Sequence, residues 1–392
     1  MIQKGFKFRI YPNLEQETFL MKSFGCSRFV YNWGLQLKNE SYVKTKKSPN
    51  YYELNKRLKE LKKEYPWLNE IYSQSIQSSL RHLDNAFTRF FKEKKGFPKF
   101  KSKNKNDFSF TIPQGTHIIE NKLYIPKVKQ GIKIKQHREL DGKIKTVTIS
   151  KNPVGQYFVT ILLEENSNLI KPKKVKKETA IGIDLGIKDF AVMSDGERIS
   201  NPKYLKKKLK RLKKIQRRHS RKVKGSNNRS KHRIKVAKIH NKITNQRRDF
   251  LHKLTYDLTH KNQVSTIIIE DLAVKNMIQN HCLAQAISDV GWGEFKRQLE
   301  YKCNWYGKNL IVIGRFEPSS KLCNQCGLIN DKLTLNEREW VCECGAKHDR
   351  DLLASCNIKN FGLEKYRRNF GNLRLQRDSG TSRLVEARSP YL

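Results

Sequence analysis

The 392-residue chain carries 81 Lys and Arg against 37 Asp and Glu, a formal net charge of +44. Ordinary soluble domains stay within about 2 to 8 charges of neutrality, so a neutral housekeeping fold is excluded and a polyanion, nucleic acid above all, is the implied partner. With 37% hydrophobic and 10% aromatic residues the chain can bury real cores, its length suggests two or three domains, and no apolar run nears the ~18 residues that span a bilayer. The N-terminus Met1 to Lys7 has no signal-peptide apolar region, which predicts a cytoplasmic protein.

Phe6 to Tyr11 alternates apolar and basic residues and predicts a strand, after which Pro12-Asn13 opens a helical stretch. From about 14 to 95 the apolar spacing is helical: Ile76, Leu80, Leu83, Phe87 and Phe90 step by 4, 3, 4 and 3. Gly96-Phe97-Pro98 breaks that pattern. Strands are predicted at Lys122 to Ile125, Thr146 to Ser150 and Tyr157 to Leu163, the last two joined by the turn Asn152-Pro153-Val154-Gly155. Residues 96–170 therefore read as a β-rich module that pairs with the N-terminal strand (1–13), which makes the helices at 14–95 an insertion. Lys171 to Lys177 is a basic, proline-containing linker.

Beyond the linker the pattern becomes α/β. Thr179 to Leu185, Thr266 to Ile269 and Leu310 to Ile313 are apolar runs of the kind found in strands buried on both faces. Between the first two lies Lys203 to Arg248, with 21 Lys and Arg and no Asp or Glu. Apolar residues keep helical spacing on both sides of Gly225-Ser226-Asn227-Asn228, which predicts a hairpin of two basic helices. Solvated faces usually mix signs, so this one is assigned to polyanion contact, with Arg217, Arg218, Arg221 and Arg247 as candidates. Residues 368–392 are polar, Arg-rich and aperiodic, and predict a disordered tail.

Asp184 sits inside the apolar strand Ile181-Gly182-Ile183-Asp184-Leu185-Gly186, where an uncompensated carboxylate would be costly. Thr266 to Asp271 repeats the arrangement, and strand alternation sends Glu270 and Asp271 to opposite faces, so one of them should face Asp184. His348-Asp349-Arg350-Asp351 supplies a third acidic cluster just ahead of a helical run, where Asp349 or Asp351 reads equally well as a helix cap. Three converging carboxylates suit Mg2+ or Mn2+, and such ions hydrolyse phosphodiesters. Four of the eight cysteines form Cys323-x2-Cys326-Gly and Cys342-x-Cys344-Gly, a spacing that favours a structural Zn2+, with His348 as a possible substitute ligand.

Taken in order, these motifs resemble the TnpB (OrfB) proteins of insertion-sequence transposons, relatives of type V CRISPR effectors, over about residues 1–367. The resemblance rests on Phe8 to Pro12, Ser27 to Trp33, Gly96 to Lys101, Gly182 to Gly186, Asn245 to Phe250, Ile269 to Leu272, Trp292 to Phe295, Pro318 to Lys321 and the cysteines leading into Asp349-Arg350-Asp351. It implies an α/β plus β-barrel fold class: an RNase H-like (RuvC) nuclease domain at 179–320 and 346–367 with a zinc ribbon at 321–345, and an N-terminal β-rich wedge module with an inserted helical bundle. It further implies a transposon-encoded DNA endonuclease guided by a noncoding RNA, acting as a monomeric ribonucleoprotein on double-stranded DNA beside a short transposon-adjacent motif. Carried over by position, the catalytic, Mg2+-binding acids are Asp184, Glu270 and Asp351. The family's acid precedes x-Asn-Ala-Ala, whereas here Leu352-Leu353-Ala354-Ser355 follows. In the N-terminal half Gln77 is a candidate for reading an adenine edge, Tyr52 for stacking on a base, and Lys99 and Lys101 for phosphate contact. An RNA-guided regulator without cleavage and a zinc-ribbon DNA-binding protein without RNA are the competing readings.

Overall fold

In the computed structural model, which describes residues 2–103, 108–165, 170–260, 263–334 and 337–378 with side chains through 369, the N-terminal alternation forms strand β1 (Ile2–Tyr11) with Phe8 and Ile10 buried. Pro12 ends it. Asn13 then caps helix α1 (Leu14–Thr45), accepting the Gln16 N–H while the Gln16 side chain returns the bond to the Asn13 backbone. The same reciprocal cap, Asn50 with Glu53, starts α2 (Tyr51–Glu64); α3 (Ser73–Glu93) follows a short turn of tighter helix at Pro66–Asn69. The predicted apolar stripe holds in its first half. Ile76, Leu80 and Leu83 are fully buried against Leu35, Leu54 and Leu58. The remaining strands of the first compact unit, Met1–Asn168, are β2 (Phe108–Ile112), β3 (His117–Ile119), β4 (Lys122–Tyr124), β5 (Ile132–Lys135), β6 (Lys143–Lys151) and β7 (Tyr157–Glu165).

These strands make one antiparallel sheet in the order β2-β6-β7-β1-β5-β4-β3, with β1 in register along most of β7. The barrel expected for this module is an open sheet: its edge strands β2 and β3 do not pair with each other. Strands β2, β3 and β5 escape detection in the sequence because they are only five, three and four residues long, too short for a clear alternation.

The second unit, Leu169–Leu392, begins its sheet with β8 (Ala180–Leu185), β9 (Asp189–Met193) and β10 (Arg198–Ser200). The basic hairpin follows as α4 (Tyr204–Ser220) and α5 (Asn227–His260), whose mutual contact is a small core of Leu212, Ile239 and Ile243. Next come β11 (Thr266–Glu270), α6 (Val274–Met277), α7 (Ala284–Val290), α8 (Trp292–Tyr306), β12 (Asn309–Ile313), the hairpin β13 (Glu339–Val341) and β14 (Lys347–Asp349), and α9 (Arg350–Asp378). The five-stranded sheet has the order β10-β9-β8-β11-β12, with β8, β11 and β12 parallel. Among the described residues no helix is long and apolar enough to cross a membrane.

Alternation along the two central strands sorts their side chains. Ile181, Ile183, Ile267 and Ile269 face a core built with α5, α7 and α8, whereas Ala180 and Ile268 face α9 through Ile358 and Leu363. The sheet is therefore covered on both sides, which is why its strands read as unbroken apolar runs. Helix α9 approaches the sheet so closely that a Cβ on Gly182 would lie 2.1 Å from the Ser355 carbonyl oxygen, and one on Gly362 would lie 2.4 Å from Ile268. The helix runs on through Asp378; residues 379–392, most of the tail expected from 368, lie outside the described residues. Leu, Arg and Gln favour helix there, and no proline interrupts before 390.

Gly182→Ala is expected to cost at least about 2–3 kcal/mol, because the clash is with backbone that cannot step aside. A urea titration of the purified chain checks it; a midpoint within error of the parent's would mean that α9 is not seated as described.

Candidate metal centres

Because β8 and β11 pair in parallel with Ile183 opposite Ile269, the next residues, Asp184 and Glu270, lie side by side on the α9 face of the sheet. Asp351 stands in the first turn of α9, where a negative charge suits the helix dipole. The three carboxylates interact. Burial, then the charges of Glu270 and Asp351, push the Asp184 carboxyl up from 3.8 to about 7, with Arg350 and the Leu185 N–H opposing. Burial likewise raises Glu270, opposed by the Ser319 hydroxyl, which donates to its Oε1 at 2.6 Å. Asp351 is gripped by Arg338, whose Nη1 lies 3.0 and 2.9 Å from its two oxygens.

The neighbouring acids have other duties. Asp271 turns to the opposite face and pairs with Lys296 at 2.9 Å and Arg315 at 2.8 Å, and these partners, Lys296 first, hold it below its ordinary range. Asp349 is the helix cap: it accepts the Leu352 N–H at 2.9 Å and pairs with Arg198 at 2.7 Å. Hard oxygen donors that repel one another in a half-buried site are the donor set a divalent cation relieves.

The four cysteines make a tighter group, with all Sγ atoms within 4.8 Å of one another. Cys323 and Cys344 are 3.8 Å apart, and Cys326 and Cys342 are 3.5 Å apart. Four ligands at about 2.3 Å from a tetrahedral zinc stand about 3.8 Å apart, so the cluster fits that ion. His348, named as a possible substitute, is not among the four gathered ligand atoms: its Nε2 meets Cys323 Sγ at 3.1 Å, the place of a supporting hydrogen bond. The Cys323 thiol is pushed down to about 5, chiefly by the Cys326 backbone N–H, with Gln325 and His348 assisting. No second group of three or more His, Cys, Asp or Glu ligand atoms is so tightly gathered among the described residues.

The cysteine site and the carboxylates are mechanically joined. Strand β14 runs directly into α9, and Leu353 of that helix is buried with Cys323, Leu333, Trp340 and Cys342. Leu353, where the family pattern has Asn, is thus a core residue of the ribbon. Asn357 donates to the Ser319 and Leu322 carbonyls, both at 2.7 Å, and so fixes the loop whose Ser319 hydroxyl holds Glu270. Ser319, Arg338 and Asn357 carry no motif-level signal for these roles beyond lying within or beside the marker segments.

The candidate nucleic-acid contacts divide. Arg217, Arg218 and Arg221 are exposed on the basic hairpin, as are Lys99 and Tyr52 in the first unit; Gln77 is half-buried on α3. Lys101 lies with its ammonium 4.2 Å from the Tyr31 ring centroid, its backbone locked to Asn32. Arg247 binds Asp289 at 2.8 Å, and Asp289 accepts the Leu205 and Lys206 N–H groups, so this arginine also supports the start of α4. An Asp buried to 7% side-chain exposure needs such a partner.

Comparison with known proteins now follows from the geometry. Residues 158–281 match a family model described as "Probable transposase" (OrfB, IS605 type), 292–358 a Cas12f1-like TNB domain, and 1–47 a helix-turn-helix domain of OrfB proteins. A protein of Streptomyces pristinaespiralis named "Putative RNA-guided DNA endonuclease" is 42% identical over 367 residues, covering 92% of this chain and 90% of its own. The chain belongs to the TnpB (OrfB) family. A second relative, InsQ of Escherichia coli K12, is 32% identical with 87% of each chain covered. Among solved structures, a Cas12f1 in complex with sgRNA and target DNA aligns with a TM-score of 0.58 at 16% identity, over 92% of this chain and 99% of that one, which is a likeness of fold.

Cys342→Ser is expected to lower bound zinc from one per chain toward none and to lower the melting temperature, while Cys356→Ser, outside the cluster, changes neither; metal analysis with a thermal melt decides. A second expectation concerns protons. The folded chain keeps the Asp184 proton up to about pH 7 whereas the unfolded chain releases it near 3.8, so stability falls as pH rises through that window. In magnesium-free buffer Asp184→Asn should therefore melt above the parent at pH 8, by about 2–4 °C for each kcal/mol relieved. That advantage should shrink as pH is lowered toward 5, and a constant offset would refute the protonation.

Proposed function

We propose that the chain is a transposon-encoded, RNA-guided DNA endonuclease whose second unit is an RNase H-like nuclease domain of RuvC type, dependent on Mg2+ or Mn2+. What supports this reading most is that Asp184 and Glu270 end adjacent parallel strands and that the charges of Glu270 and of Asp351, in the first turn of α9, both act on Asp184, in a chain of net charge +44. The strand order with three parallel members supports the RNase H-like assignment, and the relatives named as RNA-guided DNA endonucleases support the substrate.

Divalent cations held by the three acids would supply an activated water and charge stabilisation at the leaving oxygen of a phosphodiester. The protein's own residues prepare the site. Ser319 orients Glu270 by its 2.6 Å hydrogen bond, Arg338 and Arg350 temper the negative charge around Asp351 and Asp184, and Asp184 must lose its proton before it can serve as a ligand. The exposed arginines of the α4–α5 hairpin and the lysines of the first unit would hold the nucleic-acid backbone, each neutralised phosphate releasing counterion. With all three acids retained, the regulator reading finds no support at the site; the ribbon-only reading leaves the carboxylates without a role.

Purified from cells that also express the flanking transposon end, the chain should carry RNA and show a 260/280 nm absorbance ratio well above that of protein. With that RNA, a matching target plasmid and Mg2+ it should cut, and Asp184→Ala or Asp351→Asn should reduce the rate at least about 1,000-fold while retaining the RNA. Cutting by Asp184→Ala at the parental rate would refute the nuclease site, and the absence of RNA would refute guidance.

A further inference from the structure

The first unit contains an aromatic cleft that the nuclease reading leaves without a task. It has a volume of about 690 Å³ and lies between the C-terminal halves of α1 and α3, closed by the segment at Phe97, within the ~300–1,000 Å³ range of small-ligand sites. Phe87, Phe90, Phe91 and Phe97 form a set of edge-to-face and stacked rings with centroids 5.0–6.4 Å apart. The cleft is not sealed: Phe91 is 73% and Phe97 47% exposed, with Tyr42 at 56% on the facing wall. Its floor is polar at one point, where the buried Lys38 ammonium lies 5.1 Å from the Phe87 centroid and 3.4 Å from the more exposed Asp84 carboxylate.

Exposed aromatic surface of this kind marks a partner, and the rim says which. Lys92 lines the cleft, the Lys46 ammonium lies 5.6 Å from the centroid of the lining Tyr42 ring, and Lys44, Lys47 and Lys94 are exposed at the ends of the same two helices. A second copy would bring the same cations against themselves, whereas a strand of nucleic acid offers phosphates to the rim and flat bases to the rings. Aromatic faces beside cations are the common means of holding unpaired bases. Bases in a DNA duplex are stacked and unavailable, while folded RNA presents them in loops and bulges.

We infer that this cleft is a binding site for an unpaired base of the RNA the protein carries, its rings stacking on the base and its lysine rim holding the adjacent phosphates. The Lys38–Asp84 pair offers one donor and one acceptor to the base edge. This inference rests on the RNA-guided reading and assigns that RNA a contact independent of the carboxylates.

The test uses the full-length chain freed of RNA, with a labelled 12-nucleotide oligouridylate as single strand and the same strand annealed to oligoadenylate as duplex, across a series of salt concentrations. Phe91→Ala and Phe97→Ala, at exposed positions that leave the core intact, should each weaken single-strand binding about fivefold or more, with duplex binding and the slope of log affinity against log salt unchanged, since no phosphate contact is lost. Phe91→Tyr should restore the parental affinity. Parental affinity in the Phe91→Ala, Phe97→Ala double variant overturns the inference. So does a loss that is equal for duplex and single strand, or a shift from dimer to monomer in sedimentation, which would hand the face to a second copy. A parent chain that binds no RNA at all refutes the RNA-guided reading itself.

Discussion

Everything at the candidate carboxylate centre depends on the parallel, in-register pairing of β8 with β11. That pairing sets Asp184 beside Glu270, and two carboxylates at adjacent strand ends repel each other in a partly dry environment. Helix α9, seated on Gly182 and Gly362, carries a third acid, Asp351, whose charge also acts on Asp184. A site assembled in this way is destabilised without a cation and completed with one. The energetic cost lies in the strands and helix that hold the acids together, and the return is a donor set already placed for hard metal ions.

Around this small negative centre the protein is basic almost everywhere. The α4–α5 hairpin, with no acid between Lys203 and Arg248, cannot neutralise itself and touches its own partner helix through only a few apolar residues. It is tied to the rest of the unit where α5 packs Leu251, Leu254 and Leu258 into the sheet core and where Asp289 caps α4 and binds Arg247. One cation in the region is thus spent on architecture, and the exposed ones remain to attract polyanion over a distance set by salt.

The cysteine ribbon contributes by attachment. Its second hairpin strand becomes the helix that bears Asp351, its Arg338 grips that acid, and its core includes Leu353. The departure from the family pattern at this helix now has a physical account: Leu353 replaces a polar side chain with one that packs into the ribbon. Ser355 is buried, with its hydroxyl turned back onto the Leu352 carbonyl at 2.7 Å and its own carbonyl against Gly182, a place where only a small side chain fits. Ordering the ribbon around zinc would therefore also order the first turn of α9.

Much of this was legible along the chain. Buried strands announce themselves as apolar runs, a carboxylate inside such a run demands a cation, paired cysteines with glycines announce a metal turn, and an acid-free basic segment announces a polyanion, because each is a local requirement of solvation or geometry. What local pattern cannot convey is which of two neighbouring acids faces the site. Glu270 and Asp271 differ only by one step of strand alternation, as do Asp349 and Asp351 by two residues around a helix start, and the choice waits on which face α9 covers. Arg247 looks like its neighbours in the sequence, and only the fold pairs it with Asp289, 42 residues away; likewise only strand pairing leaves β2 and β3 as the two edges of the first unit's sheet. Charge, metal chemistry and element type were determined by the sequence itself, since they follow from the side chains and their spacing. The pairing of acids, the partners of individual cations and the aromatic cleft were decided only by tertiary packing, which brings together groups that no spacing relates.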